Sequence, residues 1–548
     1  LNTQILPVRG LGGAGIISDI NPYDLPPNAF SGGVNVRFEN GKVSRAPVFR
    51  RVHEFSDTFY PRHMFAIPPV STGGYYTMVV PNNDFSEVAS YSGATESDVS
   101  PTGIVGVSST EPFTDTFLGA VAYLNRSTHI PYYKTPSDTI FKPLTDSDWD
   151  SGWRCGSLRS YKDFLVALNV TKGATSYPTM VKWSDITGYG APPASWDETS
   201  TTNSAGENIL NEMRDQLIDG LTLRDSFILY GATESWAMDY IGGSLIFRFR
   251  KLFDNAGIIN QNCVVQIDGV HYVFDRNDIY MHDGATKKSI VHGANKDFIF
   301  EGLRSDLTKY AFVTHNPVLN EIYFCYASDD AQVGFSNPSG GCNRAYVYNY
   351  RRGIGSFVDL ANVTGSCLGS LETGDTWTSI DDVSWEDMGG TWSGAEDDKG
   401  LLTLFTGPLD TTQGLTKNRL YGFDLITGGR LVAPIETEAL KDAYIERVGI
   451  DLDEVGANLT LYKALHAIYP QHSVSELPSG TSFGFGGSSI VGQEPNWSDY
   501  TTYTPTTDNK IDVRETGRYL AYRMLHTGST DFALSGFDIK VTLRGRRG

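Results

Sequence analysis

Short runs of β-branched and aromatic residues, each opened by a polar turn residue, recur along the middle of this chain. Leu118–Leu124 reads LGAVAYL, Lys162–Leu168 KDFLVAL and Arg224–Tyr230 RDSFILY. Gly269–Phe274 reads GVHYVF, Asn320–Tyr326 NEIYFCY, Asn343–Tyr348 NRAYVY and Asn418–Phe423 NRLYGF. Such runs are strands, because branched and aromatic side chains suit a pleated, half-buried surface. Several continue into a second strand: Asn277–His282 (NDIYMH) is followed by Asp283-Gly284, a pair suited to a tight hairpin. Most of the runs recur at about 40–60 residues, the spacing of multi-strand units in a β-propeller. The middle of the chain is therefore predicted to be a propeller, with a sandwich or an array of barrels as the alternative.

Helical periodicity is scarce. Asn208–Asp219 places Ile209, Met213, Leu217 and Ile218 at helical spacing and predicts one amphipathic helix, and Glu436–Tyr444 predicts a short turn. Residues 1–55, with Pro7, Pro22, Pro26, Pro27, Pro47 and many glycines, read as an extended arm. Residues 430–548 read as a separate all-β domain, sandwich-like, with alternation at Val448, Ile450 and Leu452 and again at Phe537, Ile539, Val541 and Leu543. Ser473–Ser489 reads as a mobile Ser/Gly-rich loop. The expected architecture is mainly β: an arm over 1–55, a propeller-like core over 56–429 with a Trp/acid-rich insertion near 370–400, and a C-terminal all-β domain over 430–548.

Composition narrows the function classes. The 548 residues carry 57 Gly and 66 aromatic residues (29 Tyr, 28 Phe and 9 Trp), far too many aromatics for a disordered chain. A formal charge of −20 argues against a protein that wraps nucleic acid, since Lys and Arg supply that affinity. The apolar runs are far shorter than the roughly 20 residues of a membrane helix. Five cysteines without C-x-x-C spacing read as buried free thiols of a chain made in a reducing cytoplasm. Leu1–Gly15 lacks the basic and apolar regions of a signal peptide.

The motifs that could carry chemistry fail on context. Gly10–Gly15 matches G-x-G-x-x-G, but Pro22, Pro26 and Pro27 follow too soon for the helix that meets a pyrophosphate, so it reads as a glycine-rich arm. Gly480–Gly484 matches G-x-S-x-G inside a low-complexity stretch after Pro478, not between a strand and a helix. The ten histidines are scattered; His271 and His282 flank a hairpin, and all ten read as isolated surface or half-buried residues rather than zinc ligands. Ser370–Trp377 resembles the Asp-box turn of sialidase-type propellers, with Glu372 in place of the aspartate, which supports a hairpin and not a glycosidase. Trp377, Trp385 and Trp392 are interleaved with Asp381, Asp382, Glu386 and Asp387, followed by Asp397 and Asp398. Those six acids are candidate acidic surface or channel residues; a cation site or a carbohydrate platform for the tryptophans is the lesser reading. No catalytic, metal or cofactor-binding residue is selected, and no cofactor is expected.

One family fits the order of the motifs. Gly15–Val52 reads GIISDINPYDLPPNAFSGGVNVRFENGKVSRAPVFRRV, and Pro26, Pro27, Ala29, Phe30, Asn35, Arg37, Phe38, Gly41, Lys42, Ala46 and Pro47 match the opening of tail nozzle proteins, also called tail tubular protein B, of short-tailed bacteriophages. Asp225–Phe227 through Trp236, Gly242-Gly243 to Arg248–Arg250, the segment Trp377–Trp392, Gly517–Leu520 and Leu534–Asp538 continue the resemblance, which extends from about residue 15 to 545. It implies a structural virion protein and no enzyme. Such a protein is a propeller-based subunit of a homohexameric ring that prolongs the tail channel below the adaptor ring, borders tail fibres or spikes near the host outer surface, and gates DNA release. Genomic DNA would pass without specific binding, consistent with acidic walls that repel phosphate. The alternative is a propeller that hydrolyses or binds surface glycans. Residues Asn35, Arg37, Phe38, Arg45 and Pro47 are the candidates for an assembly interface along a neighbouring subunit or the propeller rim, and deletion of residues 1–50 is expected to leave a folded monomer that forms no rings. The basic end, Arg544, Arg546 and Arg547, reads as a frayed tail or a contact to an acidic partner.

Overall fold

The computed structural model describes residues 3–70, 74–93, 95–243, 245–331, 340–370, 402–407, 418–424, 442–452, 461–473, 477, 480–490, 492–527 and 531–544. Seven four-stranded antiparallel sheets follow one another along the chain and form the blades of a propeller. Blade one comprises Phe65–Ile67, Thr77–Pro81, Val88–Ser92 and Thr95–Asp98; blade two Phe113–Leu118, Val121–Arg126, Tyr132–Lys134 and Lys142–Pro143. Blade three comprises Trp153–Tyr161, Phe164–Lys172, Thr175–Trp183 and Gly206–Ile209; blade four Leu217–Leu223, Ser226–Gly231, Glu234–Tyr240 and Phe247–Asp254. Blade five comprises Val264–Ile267, Val270–Phe274, Ile279–His282 and Lys287–Ser289; blade six Phe312–Asn316, Glu321–Tyr326, Cys342–Asn349 and Ile354–Val363. Within each of these six sheets the strands pair in chain order, so the first strand is innermost and packs against the first strands of neighbouring blades.

Blade seven is different. It takes Gly365–Gly369, Leu402–Gly407 and Arg419–Asp424 from late in the chain, and its outer strand is Val48–Glu54 from the beginning. The ring is thus closed by pairing across the two ends of the propeller sequence. Hairpins inside the blades follow the turn chemistry expected of them. In blade five, Asp268 and Gly269 both have positive φ (51° and 77°), the combination required by a two-residue turn whose twist matches the flanking strands.

The first 45 residues and the last 100 or so fold together beside the propeller. One sheet runs in the order Thr3–Arg9, Gly536–Leu543, Lys463–Gln471, Ile511–Gly517; a second contains Asn496–Trp497, Thr481–Ser488, Tyr519–His526, Ala443–Ile450 and Gly32–Val34. Leu465, Ile468, Ile511, Phe537, Ile539 and Val541 from the first sheet pack against Ile445, Phe483, Phe485, Leu520, Tyr522 and Met524 from the second, with the Tyr522 and Phe537 rings 5.0 Å apart. The C-terminal sandwich is therefore real but is shared with the N-terminus. The predicted extended arm over residues 1–55 is corrected: these residues supply strands to the sandwich, to the small sheet Val36–Glu39/Lys42–Arg45/Ala533–Leu534, and to blade seven.

Two other expectations are corrected. Asn208–Asp219 is no helix. Gly206–Ile209 ends blade three, Leu210 and Met213 pack in the connecting turn, and Leu217–Leu223 opens blade four. Leu217 and Ile218 are both buried because an innermost strand is covered on both faces, which mimics a helical stripe in sequence. The Ser/Gly-rich loop contains the strand Thr481–Ser488, paired on both sides. Its glycines serve close approach: a Cβ on Gly487 would lie 2.5 Å from the Thr516 carbonyl oxygen. The predicted turn at Glu436–Tyr444 falls mostly outside the described residues, and Ala443 and Tyr444 begin a strand. Among the described residues no helix is long and apolar enough to cross a membrane.

Candidate functional site at the propeller axis and the sandwich seam

The inner strands bring polar side chains together on the propeller axis. Arg159 of blade three donates from Nε and Nη2 to the two carboxylate oxygens of Asp219 in blade four (2.8 and 2.6 Å). Its Nη1 donates to the Asp115 carbonyl of blade two (2.8 Å) and its Nη2 also to Asn262 Oδ1, just before blade five (2.7 Å). Asp219 also accepts from Ser157 Oγ (2.7 Å) and from the Asn262 amide (2.9 Å). Burial alone would push the Asp219 carboxyl upward, but Arg159 and these donors hold it below its ordinary value. Burial likewise opposes the Arg159 charge, and Asp219 overcomes it. A fully satisfied bidentate pair of this kind ties four blades into one geometry.

A cavity of about 340 Å³ is lined by inner-strand residues, His63, Asp115, Arg159, Leu221, Val313 and Ser366 among them, and in it His63 Nε2 and Asp115 Oδ1 are 2.8 Å apart. Toward the face where successive blades connect lies a cavity of about 480 Å³. Next to it Arg62 reaches across to the carbonyls of Thr110 (2.9 Å) and Lys309 (2.8 Å) and lies 4.1 Å from the centre of the Tyr310 ring. Arg126 is buried among the carbonyls of Glu111, Asn83 and Ser109, over Phe113, and burial lowers its pKa to about 10. These arginines act as cross-braces between blade connections.

A second buried network joins blades four and five. The Gly284 amide donates to His282 Nδ1 (3.3 Å), His282 Nε2 lies 2.6 Å from the Tyr230 hydroxyl, that hydroxyl lies 2.7 Å from His271 Nδ1, and His271 Nε2 lies 2.9 Å from the Thr222 carbonyl. Only one direction satisfies every group: His282 Nε2–H donates to Tyr230, Tyr230 donates to His271 Nδ1, and His271 Nε2–H donates to Thr222, with both rings neutral. Burial pushes His271 down to about 4 and His282, also beside His271, down to about 3. The expectation of isolated surface or half-buried histidines is corrected for this pair. Its signal was in the sequence, because the hairpin register sets residue 271 opposite 282.

The sequence-derived interface candidates meet at the seam between sandwich and propeller. Asn35, at a φ of 58°, knots four segments: its amide donates to Phe357 O (2.9 Å), its Nδ2 to Asp442 O (2.9 Å), its Oδ1 accepts from the Asp359 amide (2.9 Å), and its carbonyl accepts from Ala46 N (3.0 Å). Arg37 bridges Glu39 (2.8 Å) to Glu321 of blade six (3.1 Å). Phe38 stacks on Phe30 with centroids 5.6 Å apart. Arg45 is buried, and burial against the partial relief of Asp442 and Asp531 lowers its pKa to about 10. Pro47 is buried where the chain enters the outer strand of blade seven. All five are thus buried within one chain along the rim of blades six and seven, the second of the two placements expected of them.

Asp19 adds to the seam by accepting from the amides of Asp297 (2.8 Å) and Phe298 (3.0 Å) at the start of the helix Lys296–Gly302. Asp381, Asp382, Glu386, Asp387, Asp397 and Asp398, with the tryptophans between them, lie outside the described residues, as do Arg546 and Arg547. Gly10–Gly15 forms two tight turns (Gly13 N to Gly10 O and Gly15 N to Gly12 O, both 3.1 Å), and Gly480–Gly484 enters a strand. All five cysteines are free thiols, four of them buried. Among the described residues no group of three or more His, Cys, Asp or Glu is placed to hold a metal ion.

No protein-family model and no curated protein matches the chain. Among solved structures it is similar to the WD40 β-propeller domain of Doa1, at a TM-score of 0.36 and 9% identity over 69% of this chain and 98% of that one. It is also similar to YCF48 bound to D1 peptide, at a TM-score of 0.35 and 10% identity over 72% of this chain and 100% of that one. The blade assignment rests on the sheets described above.

Proposed function

We propose that the chain is a structural subunit of a phage tail nozzle: a homohexameric ring below the adaptor ring that extends the tail channel, borders tail fibres or spikes, and lets DNA pass on ejection. The observation that carries this reading is the place of the motif residues. Asn35, Arg37, Phe38 and Pro47, which carry the resemblance to nozzle proteins, form the seam that fixes sandwich to propeller. A family signature spent on a rigid joint between two β units belongs to a protein whose work is shape. The axial side chains are likewise engaged in cross-ties between blades. Because Arg159, Asp219 and Asn262 cross the propeller's own axis, a conduit for DNA would run along an axis shared by several copies, not through a single propeller. A −20 charge per subunit would then keep phosphate from adhering to that wall. Assembly in the virion follows synthesis in the host cytoplasm, and the reading includes no catalytic step.

Electron microscopy of the purified protein and of virions tests this reading. A sixfold ring on the tail axis supports it. A monomer that cleaves or binds a surface polysaccharide would replace it with the glycan-directed alternative.

A further inference from the structure

Among the described residues, six large apolar side chains that stand exposed gather at the tips of three successive blades. Phe117 precedes the first hairpin of blade two, Ile186 and Tyr189 lie between the third and fourth strands of blade three, and Tyr240, Ile241 and Leu245 belong to the corresponding turn of blade four. Hydrogen bonds hold the three tips together. The Gly190 amide donates to the Gly119 carbonyl (2.5 Å), the Thr187 amide to the Asp163 carbonyl (2.8 Å), and the Tyr240 amide to the Tyr161 hydroxyl (3.3 Å). Lys162 sits among them, its Nζ 5.2 Å from the centre of the Tyr240 ring. Tyr189 is 82% exposed, Leu245 71% and Ile241 50%. Ile241 and Leu245 flank a turn in which Gly242 and Gly243 both have positive φ (69° and 73°). A surface that gathers this many apolar side chains marks a site that something else covers.

Shape and charge select the occupant. None of the six lines the 340 Å³ or the 480 Å³ cavity; they stand on turns and strand ends and present projecting tips, not a groove for a helix or a peptide. Ile186, Ile241 and Leu245 give a sugar neither a ring to stack on nor a hydrogen bond. In a chain of charge −20, the exposed charges of the two hairpins beside the patch cancel: Lys162 adjoins Asp163 and Arg224 adjoins Asp225, and the Tyr161 hydroxyl ties the second hairpin in by donating to the Asp225 carbonyl. Aliphatic tips, tyrosines behind them and an ammonium level with the rings match the order of a lipid interface, where apolar side chains enter the acyl boundary while Tyr and Lys stay among the headgroups. A bilayer also accepts tips of any outline, whereas a protein partner has to match them. We propose that this patch docks the protein on a zwitterionic lipid bilayer, with Ile241, Leu245 and Tyr189 in the interface and Lys162 on the phosphates. The contact needs one propeller and no ring, so it stands or falls separately from the nozzle reading.

Flotation of the full-length protein with phosphatidylcholine vesicles tests this, alongside sedimentation velocity without lipid. The wild type is expected to float with the vesicles. Ile241→Ser combined with Leu245→Ser should lower partitioning about tenfold or more, because both aliphatic anchors are lost. Tyr189→Ser should lower it less, and Ile490→Ser, which alters an exposed isoleucine of the sandwich, should leave it unchanged. All four substitutions alter exposed side chains, so thermal melts should match the wild type; if the double variant melts early, Tyr189→Ser decides the matter. A wild type that stays with the lipid-free fraction, or equal flotation of wild type and patch variants, would overturn the assignment. So would lipid-free self-association that the patch substitutions abolish, since a second copy would then be what covers the tips.

Discussion

Acid should open the joint between blades four and five before it affects most of the molecule. The Tyr230–His271–His282 chain is satisfied in one direction only, so a proton on either ring turns an acceptor into a donor facing another donor. The charged groups nearest the pair are Asp283 and Lys287, which act on His282 in opposite senses, while the Thr222 carbonyl faces His271. In the unfolded chain both rings take a proton near pH 6.5; in the folded protein they resist until about 4 and about 3. Folded values below unfolded ones mean that the stability is fully present above pH 6.5 and is lost as pH falls toward 3. Between pH 6 and 4.5 the unfolded state gains up to two protons that the native state refuses, a slope of about 2.7 kcal/mol per pH unit at most. Summed to pH 3, the loss is on the order of 8 kcal/mol from this pair alone. Urea unfolding followed by tryptophan fluorescence at half-unit steps from pH 8 to 4.5 would measure it. Carboxylates elsewhere titrate too, so the informative quantity is the difference from a His271→Gln/His282→Gln variant. The wild type should lose stability more steeply by about 2 kcal/mol per pH unit below pH 6. Parallel curves for the two proteins would refute the assignment of neutral, mutually bonded rings.

Three further outcomes follow from the cross-ties and the shared ends. Asp219→Asn leaves the Arg159 guanidinium buried without its carboxylate and should cost about 3–5 kcal/mol in urea unfolding, whereas Arg159→Met combined with Asp219→Leu should cost less, because no buried charge is left behind. Asn35→Ala removes two side-chain hydrogen bonds and strains a backbone at φ 58°, for a loss of about 2–4 kcal/mol by the same assay; Asn35→Gly should recover the backbone part. Deletion of residues 1–55 removes the outer strand of blade seven and strands from both sandwich sheets, so the product should lack a cooperative thermal transition by calorimetry. That reverses the expectation of a folded but ring-deficient monomer.

What could be read in the sequence was local. Alternation and turn residues placed the strands Phe164–Lys172, Ser226–Gly231 and Val270–Phe274, because a hairpin encodes its own register within a few residues. Failures came where a residue's environment is set by distant chain. Leu217 and Ile218 mimic a helix because both faces of an inner strand are covered. The glycines of Thr481–Ser488 look like a flexible loop because the neighbouring Thr516–Gly517 backbone that excludes a side chain is remote in sequence. Arg159 and Asp219 carry no recognisable spacing, since their encounter depends on how blades three and four lie side by side.

The same distinction bears on how the molecule is made. Blades one to six close hairpins within themselves and need only their nearest neighbours, so they can form as the chain emerges. The segment Thr3–Arg9 must wait for Gly536–Leu543, and Gly32–Val34 for Ala443–Ile450. Pairings this distant carry a large loop-closure cost and form late. Until they form, Val36, Phe38 and Val43 have no sandwich to cover them, and the outer edge of Arg419–Asp424 lacks its pairing with Val48–Glu54 unless that strand has already docked. Open edges and uncovered apolar strands are the features that drive premature association. A seam built from segments this far apart in sequence therefore leaves these apolar strands uncovered until both pairing partners have been synthesised.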